Sequence, residues 1–121
     1  MTDKSAVEAL IQNYFDALYH GDVARFREIF HTGCRLFTVV DGKVMTIDHE
    51  PYMARVGGRP SGASRNDVRN DEIVSIEIAS PTTAHARVRD VYMPNHFVNE
   101  LIFLKEGERW WIVAKVWHVE I

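Results

Sequence analysis

The sequence predicts an α+β fold in which helices cover one face of a curved antiparallel sheet. Two observations carry this expectation. Apolar residues recur at helical spacing only in the first half of the chain. From about residue 68 onward the chain reads as strand, broken by turn signals at Ser80-Pro81-Thr82, Pro94-Asn95 and Glu106-Gly107-Glu108. A chain with its helices at one end and its strands at the other folds as segregated layers. Its 121 residues leave room for one domain, 1–121, whose core is large enough to need neither a disulfide nor a structural metal.

The elements follow in order. Ser5 with Glu8 three residues on reads as a capping box, and Val7, Leu10, Ile11, Tyr14, Phe15 and Leu18 then lie on one helical stripe, which predicts a helix over about 5–19. Gly21 suits the left-handed residue after it, and Asp22 caps a second helix with the apolar face Val23, Phe26, Ile29 and Phe30. The β-branched and aromatic runs 34–40 and 43–47 flank Asp41-Gly42, a strong hairpin signal. Asp48 and Pro51 open a short third helix carrying Tyr52, Met53 and Val56, which Gly57-Gly58 ends. Residues 58–67 read as a loop, and strands follow over about 68–79, 83–93, 96–105 and 109–120.

Composition narrows the function classes. With 46% hydrophobic and 26% charged residues the chain reads as an ordinary globular protein. Fourteen basic against 17 acidic residues leave a net charge of −3, so neither nucleic acid nor an anionic membrane surface is an expected partner. A single cysteine, Cys34, and the absence of a leader pattern or a long apolar run point to a soluble cytoplasmic protein. The histidines at 20, 31, 49, 85, 96 and 118 show no ligand spacing, so no metal is expected. Without phosphate-binding or dinucleotide-binding glycine motifs, or a nucleophile elbow, no cofactor is expected either.

Two segments carry a family resemblance. The run Tyr14-Phe15-Asp16-Ala17-Leu18-Tyr19-His20-Gly21-Asp22, followed by Phe26, Ile29, Phe30 and His31, resembles the opening of the nuclear-transport-factor-two-like superfamily. That superfamily includes ketosteroid isomerases and SnoaL-like cyclases. Residues 96–105, with Gly107, Trp110, Ile112, Val113, Lys115, Val116, Trp117 and His118, resemble the closing strands of its putative lumazine-binding family. The resemblance implies a cone of three helices against a strongly curved, mixed, mostly antiparallel sheet. It also implies an enclosed pocket for a small molecule and a homodimer paired through the outer sheet face. Fold alone assigns no reaction.

Matched to the isomerase pattern, the oxyanion tyrosine falls on Tyr14, the base on Thr38 and the acid donor on Asn99. Threonine cannot serve as a base, so that isomerisation is not expected, whereas Asn99 still donates hydrogen bonds to a ligand. Strand alternation puts Phe97, Asn99, Leu101 and Phe103 on one face, and Trp111, Val113, Lys115 and Trp117 on one face unless a bulge intervenes. Lys115 then stands either in the cavity or on the outer face. For Asp90, beside Arg87 and Arg89, a cross-strand ion pair on the outer face is favoured over a cavity carboxylate. For His31, capping of the second helix is favoured over catalysis. The aromatics Tyr14, Phe15, Phe30, Tyr52, Phe97, Trp110 and Trp117 could stack a flat ligand, although such spacing also describes plain core. The reading is a small-molecule-binding protein with a largely apolar cavity for an aromatic or heteroaromatic ligand, contacted by Tyr14, Phe30, Thr38, Phe97, Asn99 and Trp117. The alternative is a cofactorless cyclase, isomerase or dehydratase using His31, Asp90 or Lys115.

Overall fold

A computed structural model describes residues 2–120. Helices α1 (Asp3–His20) and α2 (Val23–Ile29) form a hairpin, followed by strands β1 (Phe30–Val40) and β2 (Lys43–Asp48) and helix α3 (His49–Gly57). A single 3₁₀ turn (Ala63–Arg65) leads into four strands, β3 (Glu72–Ser80), β4 (Thr83–Tyr92), β5 (Asn95–Glu106) and β6 (Arg109–Val119). The six strands form one sheet in the order β2-β1-β6-β5-β4-β3. Every pairing is antiparallel except β1 with β6, where the chain returns through β2, α3 and the β3–β5 meander to lie beside its first strand. This is the predicted α+β architecture with a mixed, mostly antiparallel sheet.

Local chemistry explains the element ends. Thr2, rather than Ser5, caps α1: its side chain accepts from the Ser5 N–H at 3.1 Å, so the helix starts two residues before the capping-box reading. Gly21 takes the left-handed conformation at φ 62°, and the amides of Gly21 and Asp22 return to the carbonyls of Leu18 and Ala17. Asp22 caps α2 through the Arg25 N–H, whereas Asp48 makes no cap bond to α3 and pairs with Arg35 across the β1–β2 hairpin. Phe30, expected on the α2 face, ends that helix and opens β1. Residues 68–71 do not join β3: Arg69 is drawn to Asp16 and Asp71, and Val68 is exposed.

The inner face of the sheet and the apolar stripes of α1, α2 and α3 enclose a core of Val7, Ile11, Phe15, Phe26, Phe30, Phe103 and Ile112 with their neighbours. Tyr14, Phe26, Phe30 and Tyr52 pack there with ring centroids 5.4–6.1 Å apart, mostly edge to face. Register shifts interrupt three of the pairings, β3–β4 among them, and two of the shifts adjoin β6. On β6, Ile102 opposes Ala114 while Phe103 opposes Ile112, which leaves Val113 as an extra residue. The face of β6 therefore switches: Trp110 and Ile112 are buried on one side of the bulge, Lys115 on the other, and Trp111 turns outward beside His31. The expectation that Trp111 and Val113 share a face with Lys115 and Trp117 fails for this reason. The second shift lies between Phe30 and Arg35 of β1.

Gly21 offers a direct check of the helical hairpin. An added Cβ would meet the Ser61 Cβ at 3.3 Å and force an L-residue into left-handed backbone. Gly21→Ala is expected to cost about 1–2 kcal/mol, read as a lowered urea midpoint with an unchanged slope.

Candidate functional site

At the end of the cone away from Trp110 the inner face carries polar groups. Alternation along β4 sends Ala84, Ala86, Val88 and Asp90 inward and His85, Arg87 and Arg89 outward. Asp90 is 2% exposed, so the outer-face ion pair expected for it does not form. Arg87 pairs instead with Glu100, and Arg89 with Glu72 and Glu120. The β6 bulge aims Lys115 inward as well, at 7% exposure, which settles its two alternatives in favour of the interior.

The two charges do not touch directly; Tyr14 of α1 bridges them. The Lys115 ammonium donates to the Tyr14 hydroxyl at 2.8 Å and to the Tyr52 hydroxyl at 3.2 Å. Tyr14 in turn donates its O–H to Asp90 Oδ2 at 2.9 Å, and Asn99 Nδ2 donates to the same oxygen at 2.9 Å. Burial pushes the Asp90 carboxyl above the usual carboxylate range, against the pull of Lys115 and of the two donors. Burial, reinforced by the neighbouring Asp90 charge, pushes the Tyr14 phenol well above its ordinary value, so it keeps its proton and remains a donor. The Asn99 carbonyl oxygen is buried with no hydrogen-bond partner among the described residues.

In front of this network lies a cavity of about 60 Å³. A single water needs about 10–15 Å³ and a cleft that engulfs a drug-sized molecule ~300 Å³ or more, so the space fits the end of a ligand rather than all of it. Leu18, Leu36, Tyr52, Asp90 and Lys115 form its buried wall, and Arg55, Arg59, Tyr92, Phe97 and Trp117 its more exposed one. Four of these ten side chains carry formal charge, where a largely apolar lining was expected. The segment 58–67 closes one side. The Tyr92 hydroxyl donates to the Pro60 carbonyl, the Tyr19 hydroxyl to that of Asp67, and the guanidinium carbon of Arg59 sits 3.8 Å from the centroid of the Tyr92 ring.

Of the residues singled out from sequence, Tyr52, Asp90, Lys115, Phe97 and Trp117 meet at the cavity. Tyr14 and Asn99 stand one layer behind it, fully buried, holding Asp90. Phe30 is in the aromatic core, and Thr38 donates to the Trp117 carbonyl at 2.6 Å instead of lining the space. His31 lies elsewhere, edge-on to Trp111, with Nδ1 accepting from the Gly33 N–H; it caps no carbonyl of α2, a place taken by Arg109, which donates to the Glu28 carbonyl. Sequence reasoning missed Arg55, Arg59 and Tyr92. Among the described residues no group of three or more His, Cys, Asp or Glu side chains is placed to hold a metal ion. No described helix is long and apolar enough to cross a membrane.

Structural and family comparisons agree with this architecture. A protein of unknown function described as NTF2-like, from Silicibacter pomeroyi, superposes with a TM-score of 0.86 at 20% identity, covering 99% of this chain and 100% of its own. One from Shewanella baltica also gives 0.86 at 20% identity, covering 98% and 94%. One from Methylobacillus flagellatus gives 0.83 at 23%, covering 98% and 93%. At these identities the likeness is one of fold. Among curated proteins none matches the chain.

The polar network makes a prediction about pH. Lys115→Met leaves Asp90 buried without its countercharge, at a cost of about 3–5 kcal/mol near neutral pH. Because the folded Asp90 carboxyl titrates above its unfolded value of about 3.9, the cost of burying it is absent below the unfolded value, grows as pH rises above it and levels off above the folded value. The deficit of the variant is therefore expected to shrink as pH falls and to close below about pH 4, measured by urea denaturation across that range. The family model for "Putative lumazine-binding" matches residues 2–118, and the chain belongs to that family within the NTF2-like fold.

Proposed function

We propose that this protein binds a small aromatic or heteroaromatic molecule at the open end of its cone. The observation that supports the reading best is the pairing of aromatic side chains, Phe97, Trp117 and Tyr92, with the buried polar wall of Asp90 and Lys115 around one cavity. Such a site stacks a flat ring between the outer side chains while its polar edge reaches the inner groups. Tyr14 and Asn99 contribute by holding Asp90 rather than by touching the ligand. The proposal includes a homodimer, paired through the outer sheet face where Ile102, Leu104 and Val116 are exposed, working in the cytoplasm.

A second reading, a cofactorless enzyme of the SnoaL-like kind, is favoured by one observation. Asp90 combines a raised carboxyl pKa with a place on the cavity wall and a hydrogen-bonded connection to Lys115. A carboxyl of this kind can exchange a proton with a ligand, and Lys115 with the Tyr52 hydroxyl can stabilise developing negative charge.

Native mass spectrometry of freshly purified protein, followed by denaturing release, tests the binding reading. The expected result is a dimer carrying a discrete molecule whose ultraviolet spectrum shows an aromatic ring. A protein that carries nothing, and whose tryptophan fluorescence no aromatic fragment alters, would overturn it. Incubating the released molecule in D₂O separates the two readings. Deuterium incorporation with wild type that Asp90→Asn abolishes indicates turnover, and an unlabelled ligand indicates binding alone.

A further inference from the structure

The chain's ten arginines divide in an informative way. Seven of them, at 25, 27, 35, 65, 69, 87 and 89, lie within salt-bridge distance of a carboxylate. Arg109 donates to the Glu28 carbonyl and stacks on Trp111. Arg55 and Arg59 alone have neither a carboxylate nor a hydrogen-bond partner among the described residues, and both line the cavity. In a protein whose net charge is −3, the charged side chains around this cavity sum to positive: Arg55, Arg59 and Lys115 against Asp90.

Arg59 is also held in place. Its guanidinium rests on the Tyr92 ring, whose hydroxyl is tied to the Pro60 carbonyl next along the chain, so the face that meets the ligand is ordered in advance. Arg55 lies on the last turn of α3, on the stripe that also presents Tyr52 to the cavity, and Arg59 follows just past the helix end at Gly58. Two guanidinium groups without partners, beside a space bounded by Phe97 and Trp117, define a complementary ligand: a flat ring bearing one planar anionic group.

We propose that the ligand is an aromatic carboxylate, its carboxylate held by Arg55 and Arg59 and its ring directed between Phe97 and Trp117. This rests on the pocket reading above and adds to it the charge and orientation of what is bound. The planar fork of guanidinium matches a carboxylate in two parallel hydrogen bonds. A dianionic phosphate fits less well, because Asp90 supplies a further negative charge on the same wall.

Matched pairs of fragments test it: benzoate with benzamide, nicotinate with nicotinamide, and phenylacetate with phenylacetamide, titrated while the tryptophan indole N–H resonances are followed by NMR. At least one acid is expected to bind tenfold or more tighter than its amide. That preference should vanish in Arg59→Gln and weaken in Arg55→Gln, and persist in Arg35→Gln, which removes the same charge from a side chain that does not line the cavity and pairs with Asp48. Binding of acids that weakens with added salt, in wild type but not in Arg59→Gln, would agree. Amides that bind as well as acids would overturn the assignment of charge while leaving the pocket reading intact. Displacement of the acids by equimolar inorganic phosphate would overturn the choice of carboxylate. If no fragment of either set binds, the inference and the pocket reading fall together.

Discussion

A carboxylate and an ammonium buried on the inner face of one sheet are the constraint around which this molecule is arranged. Taking Asp90 and Lys115 out of water carries a penalty that their mutual attraction repays only if every remaining donor and acceptor is engaged. Tyr14 serves both charges by standing between them, and Tyr52 and Asn99 add one further partner each, while the Asn99 carbonyl oxygen itself stays without a partner among the described residues. These five side chains come from α1, α3, β4, β5 and β6, so the network fixes where the helical layer sits on the sheet. The apolar core supplies bulk stabilisation that many packings could provide, whereas the hydrogen bonds accept only one.

The bulge at Val113 makes that arrangement possible. A regular β6 would carry one face from Trp110 and Ile112 straight through to Ala114 and Val116, and would send Lys115 into solvent. One extra residue lets the strand bury tryptophan and isoleucine in the deep core and then turn lysine and Trp117 to the same side. The shift on β1, beside β6, accompanies it, and together the two curve the sheet around the helices.

Much of this was legible in the residues. Helical spacing in the first half, the Asp41-Gly42 hairpin and the three later turns define the element order, because each is a local signal with a local cause. The inward face of β4 was legible too: Ala84, Ala86, Val88 and Asp90 alternate with His85, Arg87 and Arg89, so the aspartate shares its face with three apolar residues. The proximity of two arginines in sequence obscured this, since neighbours in a strand point to opposite sides. Arg55 was readable from its helical spacing to Tyr52, but only once Tyr52 was known to face a cavity, whereas Arg59 lies past the end of α3 where helical spacing no longer applies. The bulge was not legible, since an extra residue in β6 is set by pairing with β5 and β1 across the sheet. Nor could local signals show that Thr38 donates its hydroxyl to the Trp117 carbonyl or that His31 meets Trp111 edge-on, both being long-range pairings.

The cavity draws its outer wall from strand ends, the close of α3 and the 58–67 segment, while the deepest packing around Val7, Phe26, Phe103 and Ile112 lies elsewhere in the cone. The outer wall of the cavity and the deepest packing are thereby built from different residues, while Asp90 and Lys115 belong both to the cavity wall and to the network that seats the helices. Arg55, Arg59 and Phe97 stand outside the buried core, whereas Trp117 packs against its edge. A scaffold partitioned in this way can diversify its chemical preference through substitutions at its rim, each tolerated by a body that does not depend on them.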